Sequence, residues 1–100
     1  MKMYILIKES VPLGFALVAS AHAALAAYLK FAETQEVIQW LSGSFKKVIC
    51  KVSEDEFDRA KQHGDYVVIT ESALDGQEVA IAFCPRDEWP KSFNFYRLYR

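Results

Sequence analysis

Residues 11–29 read VPLGFALVASAHAALAAYL, a run without a single Lys, Arg, Asp or Glu. A secretion signal, a membrane span and a core helix all use such runs, and each implies a different chemistry. A signal peptide puts its charges first and its apolar core directly after them. Here the run follows MKMYILIKES, whose apolar YILI ends in Lys8, Glu9 and Ser10, the pattern of a strand and a turn. The Ala19-Ser20-Ala21 triplet, small enough for a cleavage site, therefore stands behind a strand. A membrane span needs about 20 strongly apolar residues, whereas this run is rich in alanine, opens with Pro12 and Gly14, and carries Ser20 and His22 near its middle. It reads as a buried helix starting near Gly14, because Pro and Gly suit the turn that leads in and alanine has the highest helix propensity. Phe15, Val18, His22, Leu25 and Leu29 recur at three and four, beside a small stripe of Ala16, Ser20, Ala23 and Ala27 that permits close approach to a sheet or helix. His22, among bulky apolar residues, is expected as a core histidine bonded to a backbone carbonyl. With neither signal nor span, and no membrane partner, the expected compartment is the cytoplasm.

The 100 residues, 52% apolar, suffice for one domain over 1–100 that buries roughly two thirds of its unfolded surface. A net charge of −1 means that any nucleic acid would be held by a local basic patch. Cys50 and Cys84 lack CxxC or Cys/His spacing, so the reading is two reduced, buried thiols, with no metal and no cofactor. ETQEVIQWLSG reads as a short helix with Val37, Trp40 and Leu41 on one side, stopped by Gly43, and FKKVICKV reads as a strand. SEDEFDRAKQHG carries a capping box, Ser53 with Glu56, and ends in Lys61 and His63 before Gly64. His63 there reads as a favourable cation at a helix C-terminus. YVVIT and EVAIAF, joined by LDGQ, form a hairpin. RDEWPKSF is at most a short helix before the alternating tail FNFYRLYR. The order β, α, α, β, α, β, β predicts an α/β fold in three layers, α/β/α. Its mixed four-stranded sheet is expected to be mostly parallel with one antiparallel strand.

Three blocks resemble the type 2 peptidyl-tRNA hydrolases. YILIK with a glycine turn and the helix around Ala21-His22-Ala23-Ala24 is similar to that family's GKGKxAAQxxHA. Trp40-Leu41, Gly43 and Lys47-Val48-Ile49-Cys50-Lys51-Val52-Ser53 are similar to its WL, glycine and K-hydrophobic-KV segment. Ile69-Thr70-Glu71, the turn and Val79-Ala80-Ile81-Ala82 running into Cys84-Pro85 are similar to its IxDAG strand-turn-strand ending in GP. The closing Phe95-Tyr96-Arg97-Leu98-Tyr99-Arg100 looks most like the divergent branch called peptidyl-tRNA hydrolase domain-containing proteins. The resemblance implies a domain that is often dimeric, with tRNA as partner and an ester hydrolase activity.

It also assigns positions. The second glycine falls on Gly14, the functional lysine on Phe15 and the helix glutamine on Ala19, so both polar groups are missing. A one-residue gap would bring Ser20 to the glutamine position but rotates later helix residues by about 100°. The functional aspartate falls on Glu71. Ester hydrolysis requires an oriented water, a proton acceptor and a positive or N–H group facing the oxyanion. Glu71, at the carboxyl end of a strand, is the candidate acceptor. His22 is its candidate support, and Lys8, ending the first strand on the same edge, the candidate cation. Ser72 reads as a turn hydroxyl at the substrate end of the cleft. Lys47 and Lys51, flanking Ile49 on one strand face, and the tail's aromatics with Arg97 and Arg100 suit an RNA end. Aggregation-blocking lysines and a tail packed on its own domain explain the same residues. Two readings stand: a slow hydrolase, and a binding module of the same fold for an RNA end, nucleotide or protein.

Overall fold

In the computed structural model, which describes residues 1–100, the charge-free run forms helix α1 (Leu13–Phe31) after the strand β1 (Lys2–Lys8). α1 lies on the sheet through Ala16, Ala19, Ala23, Ala27 and Phe31. Val18, Leu25 and Leu29 face outward, with Leu13 and Leu17. His22 is exposed, which corrects the expectation of a core histidine. The reason is volume. Met3, Ile5 and Ile7 already fill the space above this sheet face, so the helix can approach only on its smallest side chains.

The remaining elements are α2 (Gln35–Ser42), β2 (Lys46–Val52), α3 (Glu54–Ala60), β3 (Tyr66–Glu71), β4 (Gln77–Phe83) and β5 (Arg97–Leu98), with 3-10 turns at Ser72–Leu74 and Lys91–Phe95. They form one five-stranded sheet in the order β3-β4-β1-β2-β5. β1 and β2 pair in parallel from Lys2↔Lys46 to Lys8↔Val52, and every other pairing is antiparallel. The four-stranded, mostly parallel sheet is thereby corrected. β1, β2 and β3 do run the same way, but β4 turns back and inserts between β1 and β3, replacing a parallel pairing by two antiparallel ones. The fifth strand comes from the tail, where Cys50 pairs with Leu98 and Lys51 with Arg97.

The α/β/α layering follows from two cores. α1 and α2 cover one face with Met3, Ile5, Ile7, Ala80 and Trp40 beneath them. α3 and the second 3-10 turn cover the other, over Tyr4, Leu6, Val52, Ile81 and Phe83. The capping box forms as read: Glu56 N–H donates to Ser53 Oγ at 3.1 Å and Ser53 N–H to Glu56 Oε1 at 2.8 Å. α3 nevertheless ends at Ala60, short of Gly64. His63 lies beyond it, edge-on to Phe93 at 5.7 Å between ring centroids.

Both cysteines are free and buried. Burial pushes the Cys50 thiol up to about 11 from an ordinary 9.0, and raises the Tyr4 hydroxyl in the same sense. The unfolded chain therefore gives up protons first as pH rises. Stability is full below about pH 9 and declines as pH passes from there to the folded value. Urea midpoints at about pH 8 and pH 10.5 should fall further in the natural sequence than in Cys50→Ala. Equal falls would assign the decline to other groups.

Candidate functional site

β1, β2 and β3 end at one edge of the sheet, at Lys8, Val52 and Glu71. This is the edge where open α/β sheets expose loops to ligands. Glu71 is half-buried and caps the turn that follows: its Oε2 accepts the Ala73 N–H at 3.1 Å, and its carbonyl accepts the Gly76 N–H at 2.9 Å. Asp75 and Gly76 reverse the chain at φ of 57° and 74°, a conformation that asparagine, aspartate and glycine tolerate best. A bulge at Ile69/Thr70 leaves Val79 without a partner in the ladder. It re-registers β4 just before the turn while Glu71 keeps the parity of Val67 and Ile69, which pack on the α1 side.

Lys8 reaches the same edge but the opposite face. Only 5% exposed, it lies 4.7 Å from the Phe57 ring centroid and donates to Glu54 Oε1 at 2.9 Å. β4 stands between it and Glu71. The structure therefore does not bring Lys8 and Glu71 together. Sequence reading missed Glu54 as the lysine's partner, and no local signal marks a pair 46 residues apart.

His22 lines a shallow depression between α1 and β3 with Leu25, Leu29 and Thr70, one residue short of Glu71. Phe15 is half-buried against the α1-side core, and Ala19, standing at the glutamine position, is fully inside it. Gly14 has ordinary backbone angles and open space where a Cβ would stand, so the fold does not itself demand glycine there. Ser20 donates to the Leu17 carbonyl at 2.7 Å and turns toward Ile49 and Tyr99, away from Glu71. Ser72 is exposed in the turn.

The two strand lysines are held by aromatic rings of this chain. Lys47 Nζ sits 3.1 Å from the Phe45 ring centroid and donates to the Phe45 carbonyl at 2.9 Å, and burial lowers its pKa. Lys51 lies 4.6 Å from the Tyr99 ring centroid. In the tail, Arg97 donates to Glu9 at 2.6 Å, tying β5 to the loop after β1, while Phe93 is buried and Phe95 faces water. No three His, Cys, Asp or Glu side chains cluster as a metal site would require.

The site thus amounts to one half-exposed carboxylate at a strand end, with a histidine nearby on the same sheet face and no cation beside it. A layered α/β domain with its candidate chemistry at the strand ends is the class that fold and edge define. The chain matches the family described as Peptidyl-tRNA hydrolase PTH2 over residues 1–79, and it belongs to that family. No curated protein matches it.

Proposed function

We propose that this chain is a peptidyl-tRNA hydrolase-like protein that cleaves the ester between peptide and tRNA slowly, with Glu71 orienting the attacking water. Family membership supports the substrate class. The observation that carries the mechanism is the position of Glu71, a carboxylate half-open to water at the strand end. Water held there attacks the ester carbonyl carbon and gives a proton to Glu71; the carbon–oxygen bond to the ribose then breaks as Glu71 returns the proton to the leaving oxygen, giving a free peptide carboxyl and a ribose hydroxyl. His22 supports that water from the Thr70 side. Gly14, Phe15 and Ser72 bound the peptide and ribose, and Lys47 and Lys51 meet phosphates. The reduced rate follows from Phe15 and Ala19, which offer the oxyanion nothing. Lys8 would polarise the carbonyl only after leaving Glu54 and rounding the strand ends to the face that carries Glu71. The protein works in the cytoplasm and pairs with a second copy.

A binding module without chemistry is the second reading, favoured by the pairing of Lys8 with Glu54 on the far face. Single-turnover hydrolysis of N-acylated aminoacyl-tRNA, with protein in excess, separates the two. Hydrolysis above background that falls about 100-fold in Glu71→Ala supports the enzyme. No hydrolysis in either form favours the module. An unchanged rate in Lys8→Met would remove the lysine from the mechanism.

A further inference from the structure

β3 is an outer strand: β4 is its only neighbour, and no strand pairs with its far side. The parity of its hydrogen bonds fixes which backbone groups are left over. Asp65 and Glu71 turn their carbonyls inward, to the Cys84 N–H at 3.0 Å and the Gly76 N–H at 2.9 Å. Residues along a strand alternate in the side to which their backbone groups point. Val67 and Ile69 therefore also face β4, while Tyr66, Val68 and Thr70 point N–H and C=O away from the sheet. Lys30 agrees with this, because its Nζ reaches the Tyr66 carbonyl from outside at 2.8 Å. Val68 and Thr70 are left with their donors and acceptors open at the edge. Proteins commonly block such an edge with charge or proline, but the YVVIT of β3 has neither.

A groove runs along this edge. α1 overhangs it in the opposite direction, with Lys30 at Tyr66 and His22 near Thr70. Between these positions the helix rises about 12 Å and the strand about 13 Å, so the two stay in step. The space between them, about 380 Å³, is bounded by His22, Leu25, Ala26 and Leu29 on the helix and by residues 68–70 on the strand. Leu25 and Leu29, 58% and 66% exposed, form an apolar wall. The groove leads along β3 to within one residue of Glu71.

We propose that the peptide of peptidyl-tRNA lies in this groove as an added strand, parallel to β3, with its esterified residue at Glu71. The proposal rests on the hydrolase reading above and deepens it by saying how the peptide is held. Direction follows from the site: the ester is the C-terminal end of the peptide and Glu71 is the C-terminal end of β3, so the two run the same way. Counted back from the ester, the first peptide residue lies opposite Glu71, the third opposite Ile69 and the fifth opposite Val67. In a parallel pair each outward residue bonds to the two residues that flank its opposite number. The Thr70 carbonyl then accepts the N–H of the first peptide residue, and the Thr70 N–H donates to the carbonyl of the third. The Val68 carbonyl accepts the N–H of the third, and the Val68 N–H donates to the carbonyl of the fifth. Side chains of the first, third and fifth residues share the α1 side with Val67 and Ile69 and rest against Leu25 and Leu29. Main-chain pairing of this kind gives affinity without reading every side chain, which suits a substrate whose peptide varies in sequence. An RNA strand would need cations along the groove. Only Lys30 stands there, at the end far from Glu71 and already engaged by Tyr66.

Single-turnover hydrolysis of N-acetylated alanyl-tRNA and pentaalanyl-tRNA by the natural chain, below saturation, tests this without any variant that must fold. The five-residue substrate should react at least about 10-fold faster, since it makes three further main-chain hydrogen bonds. N-methylation of its third residue, whose N–H faces Val68, should remove at least about 5-fold of that gain. N-methylation of the fourth, whose N–H faces away from β3, should leave the gain in place. Equal rates for one residue and five, or equal losses from the two N-methylations, overturn the proposal and leave the hydrolase reading standing. If neither substrate is hydrolysed, that reading falls, and the groove is read directly by nuclear magnetic resonance. N-acetyl-pentaalanine amide, added to millimolar concentration, should move the Val68 and Thr70 amide signals more than those of Val67 and Ile69. Signals that stay in place overturn the groove as a peptide site. So does protection of the Val68 and Thr70 amides from hydrogen exchange that rises with protein concentration, which would give the edge to a second copy.

Discussion

Phe93→Ala is expected to destabilise the fold by about 3–5 kcal/mol, the range for removing a buried phenylalanine. Phe93 is fully inside, with ring centroids 5.1 Å from Tyr4 and Trp89, 5.2 Å from Phe83 and 5.0 Å from Tyr96. α3 has only seven residues, too few to cover its side of the sheet alone. The aromatic cluster does the rest. The pairs with Tyr4 and Phe83 are edge-to-face, and such pairs add about 0.5–1.5 kcal/mol each beyond area burial, so the loss sits toward the upper end. Against a net stability of about 5–15 kcal/mol for a domain of this length, urea denaturation should show the midpoint fall by a third or more. Phe95→Ala, two residues on and 81% exposed, should stay within about 0.5 kcal/mol. Equal effects would mean that the C-terminal segment lies on the sheet without holding it. Phe93 stands outside the 1–79 stretch that matches the family, so much of the second core comes from residues the match does not reach. β4 itself, the strand between β1 and β3, extends past residue 79.

Local signals in the sequence marked most elements: the capping box, the hairpin turn and the strand runs all formed where they read. Topology was less legible because it depends on a non-local choice. The unbroken apolar run Val79–Phe83 is the pattern of a strand covered on both faces, and it lies inside the sheet between β3 and β1, whereas the similarly apolar YVVIT became an edge. The fifth strand rests on two residue pairs, and the alternation of FNFYRLYR did not say which strand the tail would join. On α1 the hydrophobicity ranking pointed the wrong way, since the bulky stripe faces out and the alanines face in. A sheet face already filled by Met3, Ile5 and Ile7 decides that, and in the helix sequence only the small stripe with Ala16, Ala23 and Ala27 pointed to it.

The candidate site divides on the same line. Glu71 was legible, since a carboxylate after a β-branched run and before a turn stands at a strand end whatever the pairing. The relation of Lys8 to it was not. Alternation sends a strand-end side chain to one face or the other, and a bulge or an inserted strand changes which groups meet. The pairing with Glu54 then commits the lysine to the α3 side. With Lys8 on the far face, the Ala73 N–H at the same turn is already taken by the Glu71 carboxylate. Substrate would have to compete for that contact, which is a physical reason to expect slow chemistry.

Trp40→Ala should also destabilise by about 3–5 kcal/mol, and comparison with Trp40→Phe separates its two roles. The indole is 2% exposed, and its Nε1–H donates to the Lys46 carbonyl at 2.7 Å, fastening α2 to the first residue of β2. Its backbone carbonyl accepts from both Gly43 and Phe45. Between these contacts the chain turns so tightly that a Cβ on Gly43 would lie 2.8 Å from the Gln39 carbonyl oxygen. Phenylalanine keeps most of the buried surface and loses the donor, leaving the Lys46 carbonyl unpaired, at a cost of about 1–2 kcal/mol. Alanine loses both and leaves a cavity, whose walls forfeit their packing. Thermal and urea unfolding, followed by the fluorescence of the remaining Trp89, measure the two losses. If Trp40→Phe costs as much as Trp40→Ala, the hydrogen bond that sets the α2–β2 turn matters and the ring's bulk does not. If both cost less than about 1 kcal/mol, α2 is not packed on the sheet as described.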